Sequence, residues 1–214
     1  MRSRLSVLPV LALFALGCGA EIKLNPNAKF PLAISNETPG FLFPINMSHL
    51  GAKGDPTLMG VSVTAGVIAK FGKQLISGQQ LFDLVGNLSF ELAETIDSQA
   101  KANTWAMSGA AEQVATALTN LKEQIIQKLV DLKLLDKPIK FKYIIALHSH
   151  GESAMGGKML KVNSWGGIYD SETKEILSYI NSINTMVNDD KALLGQIPLT
   201  YNDILSKLIT GGKK

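Results

Sequence analysis

Phe141-Lys142-Tyr143-Ile144-Ile145-Ala146-Leu147-His148 is the stretch at which the hydrophobic period of the chain changes from 3.6 to 2. Phe141, Tyr143, Ile145 and Leu147 alternate with Lys142, Ile144, Ala146 and His148. Residues two apart on an extended chain share a face, so one face of this strand is apolar throughout and the other turns polar toward its end. Gly151 to Gly157 then reads as a turn or loop, and Lys158 to Tyr169 as a second strand. Asp170-Ser171-Glu172-Thr173-Lys174 is a polar turn, after which Glu175 to Ile180 returns as a third strand.

Upstream of Pro138 the spacing is helical. Leu81, Leu84, Val85, Leu88, Leu92 and Ile96 fall on one face, as do Ala111, Val114, Leu118, Leu121, Ile125, Leu129 and Leu132. Asp136-Lys137-Pro138 stops the second of these helices. Trp105 and Gly109 lie in the loop between them. Phe41 to Asn46 reads as a short apolar strand and Lys73 to Ser77 as another. Leu58 to Phe71 stands between two readings: its valines favour a strand, yet Val63, Val67 and Phe71 recur at helical spacing. Asn188-Asp189-Asp190 breaks the pattern after the third strand. A last helix is expected from about Tyr201 to Ile209, with Thr200 as its N-cap and Gly211-Gly212 as its stop.

The element order predicts an α+β fold: a mixed sheet with a C-terminal antiparallel three-stranded meander, packed by two long amphipathic helices. The expected organisation is a signal peptide over residues 1–17, a lipid-anchored linker over residues 18–40 and a single globular domain over residues 41–214. The linker reading rests on Asn25-Pro26-Asn27, Pro31 and Pro39-Gly40, and on the lack of periodicity between them.

The first twenty residues carry the clearest address. Arg2 and Arg4 precede an apolar run from Leu5 to Leu16, which closes on Ala15-Leu16-Gly17-Cys18. This is the layout of a secretory signal peptide. The run is shorter than the roughly 20 apolar residues that span a bilayer. Cys18 is the one cysteine of the chain, so no internal disulfide can form. Ala15 to Cys18 resembles the bacterial lipobox, in which the thiol is diacylated and the cysteine becomes the new N-terminus. Leu is commoner where Ala15 stands. The resemblance implies an envelope location. Gly19 in place of Asp favours the outer membrane, facing the periplasm.

Loss of residues 1–17 leaves 197 of the 214 residues, enough for one domain with a core. It also removes Arg2 and Arg4, which takes the 21 basic residues to 19 against 18 acidic ones. A chain so close to neutral, with no basic block, gives no support to nucleic-acid binding. Asn36-Glu37-Thr38, Asn46-Met47-Ser48 and Asn87-Leu88-Ser89 match the glycosylation sequon, which a bacterial chain carries by chance.

A lipobox, an apolar strand with Pro44, and a helix leading to Lys73-Gln74-Leu75-Ile76-Ser77-Gly78 are followed later by a hairpin whose turn holds Asp170 and Thr173. Over roughly residues 41–182 this pattern resembles envelope lipoproteins of the curli-secretion and TolB amino-terminal type. In that family Gly commonly follows the Thr of the turn, where Lys174 stands here. The resemblance implies a non-catalytic lipoprotein that helps to assemble or regulate an envelope complex, with an envelope protein as partner.

His148-Ser149-His150-Gly151-Glu152 is the one constellation that suggests chemistry. Residues two apart place both imidazoles and the carboxylate on one strand face, and His49 completes the histidines of the chain. Three nitrogen or carboxylate ligands and a water make a zinc site, or a site for another transition metal. The competing reading is a polar strand end running into a glycine-rich loop. Ser149 and Ser153 have no Gly-x-Ser-x-Gly elbow and no acidic orienter. Gly156-Gly157-Lys158 lacks the upstream Gly and the helix of a phosphate loop. The expectation is a protein that is not an enzyme and needs no cofactor. A metal-binding envelope protein and a carrier of a small ligand or lipid are the alternatives.

Overall fold

The computed structural model describes residues 20–212. Cys18 and the signal segment lie outside them. Six strands form one mixed sheet in the order β1-β6-β5-β4-β2-β3. They are β1 (Glu21–Leu24), β2 (Gly40–Leu42), β3 (Leu75–Ser77), β4 (Tyr143–Ala154), β5 (Met159–Asp170) and β6 (Glu175–Val187). The helices are α1 (Pro56–Phe71), α2 (Phe82–Lys101), α3 (Ala110–Asp131) and α4 (Asp190–Thr210). The α+β class stands. The sheet is mixed across its width: β2 pairs parallel with β3 and β4, whereas β4, β5, β6 and β1 pair antiparallel. The three strands expected as a C-terminal meander therefore lie within a larger mixed sheet, and α1 and α4 cover it together with the two long helices α2 and α3.

Two apolar clusters lie on opposite faces. One gathers Leu42, Ile45, Ile145, Leu147, Val162, Ile168 and Ile180 with Val63 and Val67 of α1 and Leu193, Ile197 and Leu205 of α4. The other gathers Phe41, Ile144, Ala146, Trp165, Tyr169 and Tyr179 with the stripes of α2 and α3. Phe41 stacks on Phe141 with centroids 4.9 Å apart and meets Phe43 edge-on at 5.4 Å. The alternation of β4 thus feeds two cores, which explains why Ile144 and Ala146 interrupt the polar positions of its second face.

Residues 20–40 are not a linker. β1 pairs with β6, from Glu21 opposite Asn181 to Leu24 opposite Ser178. Asn25 is buried, its side chain donating to the Ile176 carbonyl at 3.0 Å while its backbone N–H bonds Leu177. Leu32 and Ile34 enter the α1/α4 core, and the Leu32 N–H reaches the Ile209 carbonyl. Four strand residues and two turn-forming asparagines leave too short a pattern for period 2 to register in the sequence.

Two other boundaries move. α1 is a helix, begun by Asp55, whose carboxylate accepts from the Thr57 and Leu58 N–H groups, with Pro56 at its first position. α4 begins at Asp190, capped by the Asp189 side chain on the Ala192 N–H, so about half of the helix precedes the start that Thr200 suggests. Gly195 and Pro198 masked its first turns. Proline in a helix forfeits one backbone bond, and here its ring faces α1 at Gly66, where a side chain would collide with it.

Close approach explains three glycines. A Cβ on Gly167 would meet the Ile96 side chain of α2, and one on Gly166 would meet Leu147. A Cβ on Gly151 would lie 1.9 Å from the Leu50 carbonyl oxygen, a backbone atom that cannot swing away. Gly151→Ala is expected to lower stability by about 1–3 kcal/mol through overpacking. Thermal unfolding followed by circular dichroism measures it, with Gly195→Ala as the control: that position is exposed in α4 with open space around it, and Ala there is expected to stabilise by about 0.5–1 kcal/mol.

Candidate functional site

The histidine segment lies where β4 leaves the helix layer. His148 is 3% exposed, on the α2 face of the sheet. Its ring packs against Trp165 with centroids 4.6 Å apart, Phe90 of α2 at 5.1 Å and His49 at 5.2 Å. His49 comes from a single 3-10 turn, Ser48–Leu50, and tilts over Phe90 at 4.8 Å. Trp165 is held in place by its indole N–H, which donates to the Ala93 carbonyl at 3.3 Å. The spot is an aromatic box with one imidazole inside and one at its rim.

Such surroundings favour a neutral ring. Burial, and to a smaller extent the neighbouring His49 and His150, push the His148 pKa down to about 4 from the ordinary 6.5. His150 and Glu152, two and four residues on, are solvent-facing or exposed on the same strand face. The structure does not bring His148, His150 and Glu152 together as a metal-holding set. Among the described residues no group of three His, Cys, Asp or Glu side chains is placed to hold a metal ion. Period 2 aligned the three side chains on one face, as the sequence indicates, but a row along a strand spaces them about 7 Å apart per step, and only the first is enclosed. The triad expectation is corrected to an aromatic-packed histidine and two surface residues. Phe90 was not legible as part of this spot, because it stands off the apolar stripe of α2; only its neighbourhood to Trp165 in space reveals it.

Ser149 faces the other core. Its hydroxyl bonds Ser164 at 2.7 Å and Tyr201 of α4 at 2.8 Å, a buried row of three hydroxyls with Ser149 in the middle. Burial raises the Tyr201 pKa well above the ordinary value, so it stays a neutral donor. The three groups satisfy one another inside an apolar layer, where an unpaired hydroxyl would cost about 1–3 kcal/mol. They fasten α4 to the sheet and leave no hydroxyl free for nucleophilic attack. Ser153, on the exposed part of β4, has no histidine partner among its described hydrogen bonds.

At the far edge of the sheet a half-open cleft of about 620 Å³ lies between α1, β3 and the connection after α3. Ile68, Leu75, Ile76, Leu134 and Ile139 supply apolar walls, and Lys73 and Lys137 stand at the rim beside Asp136. Among the described residues no helix is long and apolar enough to cross a membrane.

No protein-family model matches the chain, and no curated protein matches it. Among solved structures it is similar to the PelC dodecamer from Paraburkholderia phytofirmans, at 8% identity over 90% of this chain and 99% of that one, with a TM-score of 0.45. A variant of the same protein gives 7% identity and a TM-score of 0.44. At these scores nothing about this chain follows from the likeness.

The buried imidazole makes stability pH-dependent with a definite sign. The unfolded chain binds a proton at His148 near pH 6.5 and the folded chain only near pH 4, so the unfolded state holds more protons between these values. Folding stability therefore falls on acidification through that window, by up to about 3 kcal/mol from this group. His148→Phe keeps the aromatic packing and removes the proton site. Its melting temperature is expected to fall less than that of the native protein between pH 6.5 and pH 4, as scanning calorimetry at several pH values would measure.

Proposed function

We propose that this protein is a lipid-anchored component of a bacterial cell envelope with a structural, assembly or regulatory role and no catalytic site of its own. The observation that carries the reading is the N-terminal sequence: a basic start, an apolar run and Ala15-Leu16-Gly17 directly before the one cysteine, Cys18. Acylation there supplies its own anchoring energy, about 0.8 kcal/mol for each buried methylene, and two or three chains hold a protein on a membrane where one does so only marginally.

The fold supports the non-catalytic part. His148 is held neutral in an aromatic box, and the Ser149, Ser164 and Tyr201 hydroxyls are spent on one another. Polar groups that would be reactive in a cleft are here used to join layers. The pattern that the chain shares with curli-secretion and TolB amino-terminal-type lipoproteins supports a role in assembling or regulating an envelope complex. The corrected N-terminal boundary adds a constraint. Ala20 already packs against the α1/α4 core and β1 starts at Glu21, so two residues, Gly19 and Ala20, separate the cysteine from the sheet. An acylated Cys18 holds the folded body against the membrane, with no tether to let it roam.

Mass spectrometry of the mature protein is expected to show acylated Cys18 as the first residue. Cys18→Ala is expected to move the protein from the membrane pellet to the soluble fraction. A Cys18→Ala variant that stays in the pellet would sink the anchoring claim.

A further inference from the structure

His148 is a costly residue for the place it occupies. A phenylalanine would fill the box of Trp165 and Phe90, whereas the imidazole brings two ring nitrogens into a position that is 3% exposed. Buried polar atoms in folded proteins have partners, and one without a partner destabilises the fold. Among the described residues no protein group hydrogen-bonds the His148 ring. What it meets is a second imidazole: the His49 ring lies with its centroid 5.2 Å away and its plane tilted by 58°. The charges that act on His148 are those of His49 and His150, with no carboxylate among them.

Backbone packing sets the two rings against each other. β4 carries His148, and Gly151, three residues on, leaves room for the Leu50 carbonyl, which lies 1.9 Å from where a Cβ would be. Met47 and Leu50 are buried on either side of His49. The Ser48–Leu50 turn is thereby pinned to β4, and His49, itself exposed, leans over the mouth of the box against Phe90. A turn thus supplies the second element that a row along one strand lacks. Two imidazoles that share a metal ion, each nitrogen about 2.0 Å from it at a near-tetrahedral angle, have centroids about 5 Å apart. The His49–His148 separation matches that spacing. His150, about 7 Å farther along β4, is exposed and outside the box.

The surroundings select the ion. Neutral imidazole suits zinc, copper, nickel and iron. Zinc sites take three or four protein ligands, and among the described residues no group of three is placed to hold a metal. Two neutral donors leave a divalent ion with its whole charge against Trp165 and Phe90, where the desolvation cost grows with the square of the charge. Monovalent copper is satisfied by two nitrogen donors, carries half that charge and is attracted by the face of an indole. We propose that His49 and His148 form a two-nitrogen site for Cu(I) at the mouth of the aromatic box. The site stands apart from the reading of Cys18 and adds metal capture to it.

The test titrates the purified mature protein, in detergent, with Cu(I) kept reduced by ascorbate, in competition with bathocuproine disulfonate, whose copper complex is coloured. One equivalent of copper is expected to be withheld from the chelator. His49→Gln and His148→Phe are each expected to weaken that binding by more than about tenfold, the smallest loss seen when only a supporting partner of a ligand is removed. His150→Ala and Cys18→Ala are expected to leave it unchanged. His49 is exposed, so its variant decides even where His148→Phe disturbs the box, and circular dichroism verifies the fold of each. Copper is also expected to raise the melting temperature of the native protein and not that of His49→Gln. Copper that is not withheld, or is withheld equally by His49→Gln, overturns the site. Loss in His150→Ala overturns the two-ligand set, and loss in Cys18→Ala assigns the ion to the thiol instead. Zn(II) that displaces Cu(I) at equal concentration overturns the choice of a monovalent ion.

Discussion

Everything in this molecule depends on a strand that must be buried twice. β5 is hydrogen-bonded to β4 on one side and to β6 on the other along its whole length. Its Leu160, Val162 and Ile168 face one apolar cluster, and its Trp165 and Tyr169 face the other. A sheet with two apolar faces has to be covered on both, and helices are the cover available to a chain of this length. That demand places α1 and α4 on one side and α2 and α3 on the other. It also sets local details. Gly166 and Gly167 let the layers come close, and the Ser149, Ser164 and Tyr201 hydroxyls must pair because water does not reach them.

The elements with many repeats of their period were readable in the sequence. Six alternating positions in β4 identified a strand, and the stripes of α2 and α3 identified long helices with their buried faces, apart from Leu132, which follows α3 and is exposed. β6 was read only as far as Ile180, because Asn181, Ser182 and Asn184 look like the end of a strand; they are half-buried, and the strand runs on through them to Met186, which is buried in the α1/α4 core. β1 was invisible for a different reason. A four-residue edge strand takes its stability from the neighbour it pairs with, and nothing within it shows that β6 lies a whole domain away. The boundary of α4 was hidden by Pro198, a residue that breaks helices in isolation but is accommodated where a neighbouring helix presents a glycine. Lys174 is a smaller instance. It occupies a left-handed backbone position with φ of 60°, the place where glycine is easiest, so the turn keeps its geometry with a less suitable residue.

The candidate site divides in the same way. The sequence put His148, His150 and Glu152 on one face, and they do share it. What it does not contain is the height of the helix layer. Trp165 and Phe90 close over the first imidazole and stop there, so three side chains of one pattern meet two environments, one enclosed and one exposed. Pattern along a strand specifies direction, whereas ligand convergence needs curvature or a second element, and that is a property of packing.

The placement of β2 bears on the order in which the chain acquires its shape. Phe41 and Leu42 lie beside Ile144 and Ile145, and Glu21 lies beside Asn181. The first strand synthesised thus pairs with the last, and β2, though β3 follows it closely, completes its pairing only when β4 is made. Contacts so distant in sequence close slowly, because the loop entropy is lost before the pairing rewards it. The β4–β5–β6 hairpins, by contrast, join neighbours through short turns. The late third of the chain is therefore the natural seed, and the N-terminal strands add to a surface that already exists. A nascent chain carries β1 as an unpaired strand until that seed arrives, so the first strand made is the last to be locked.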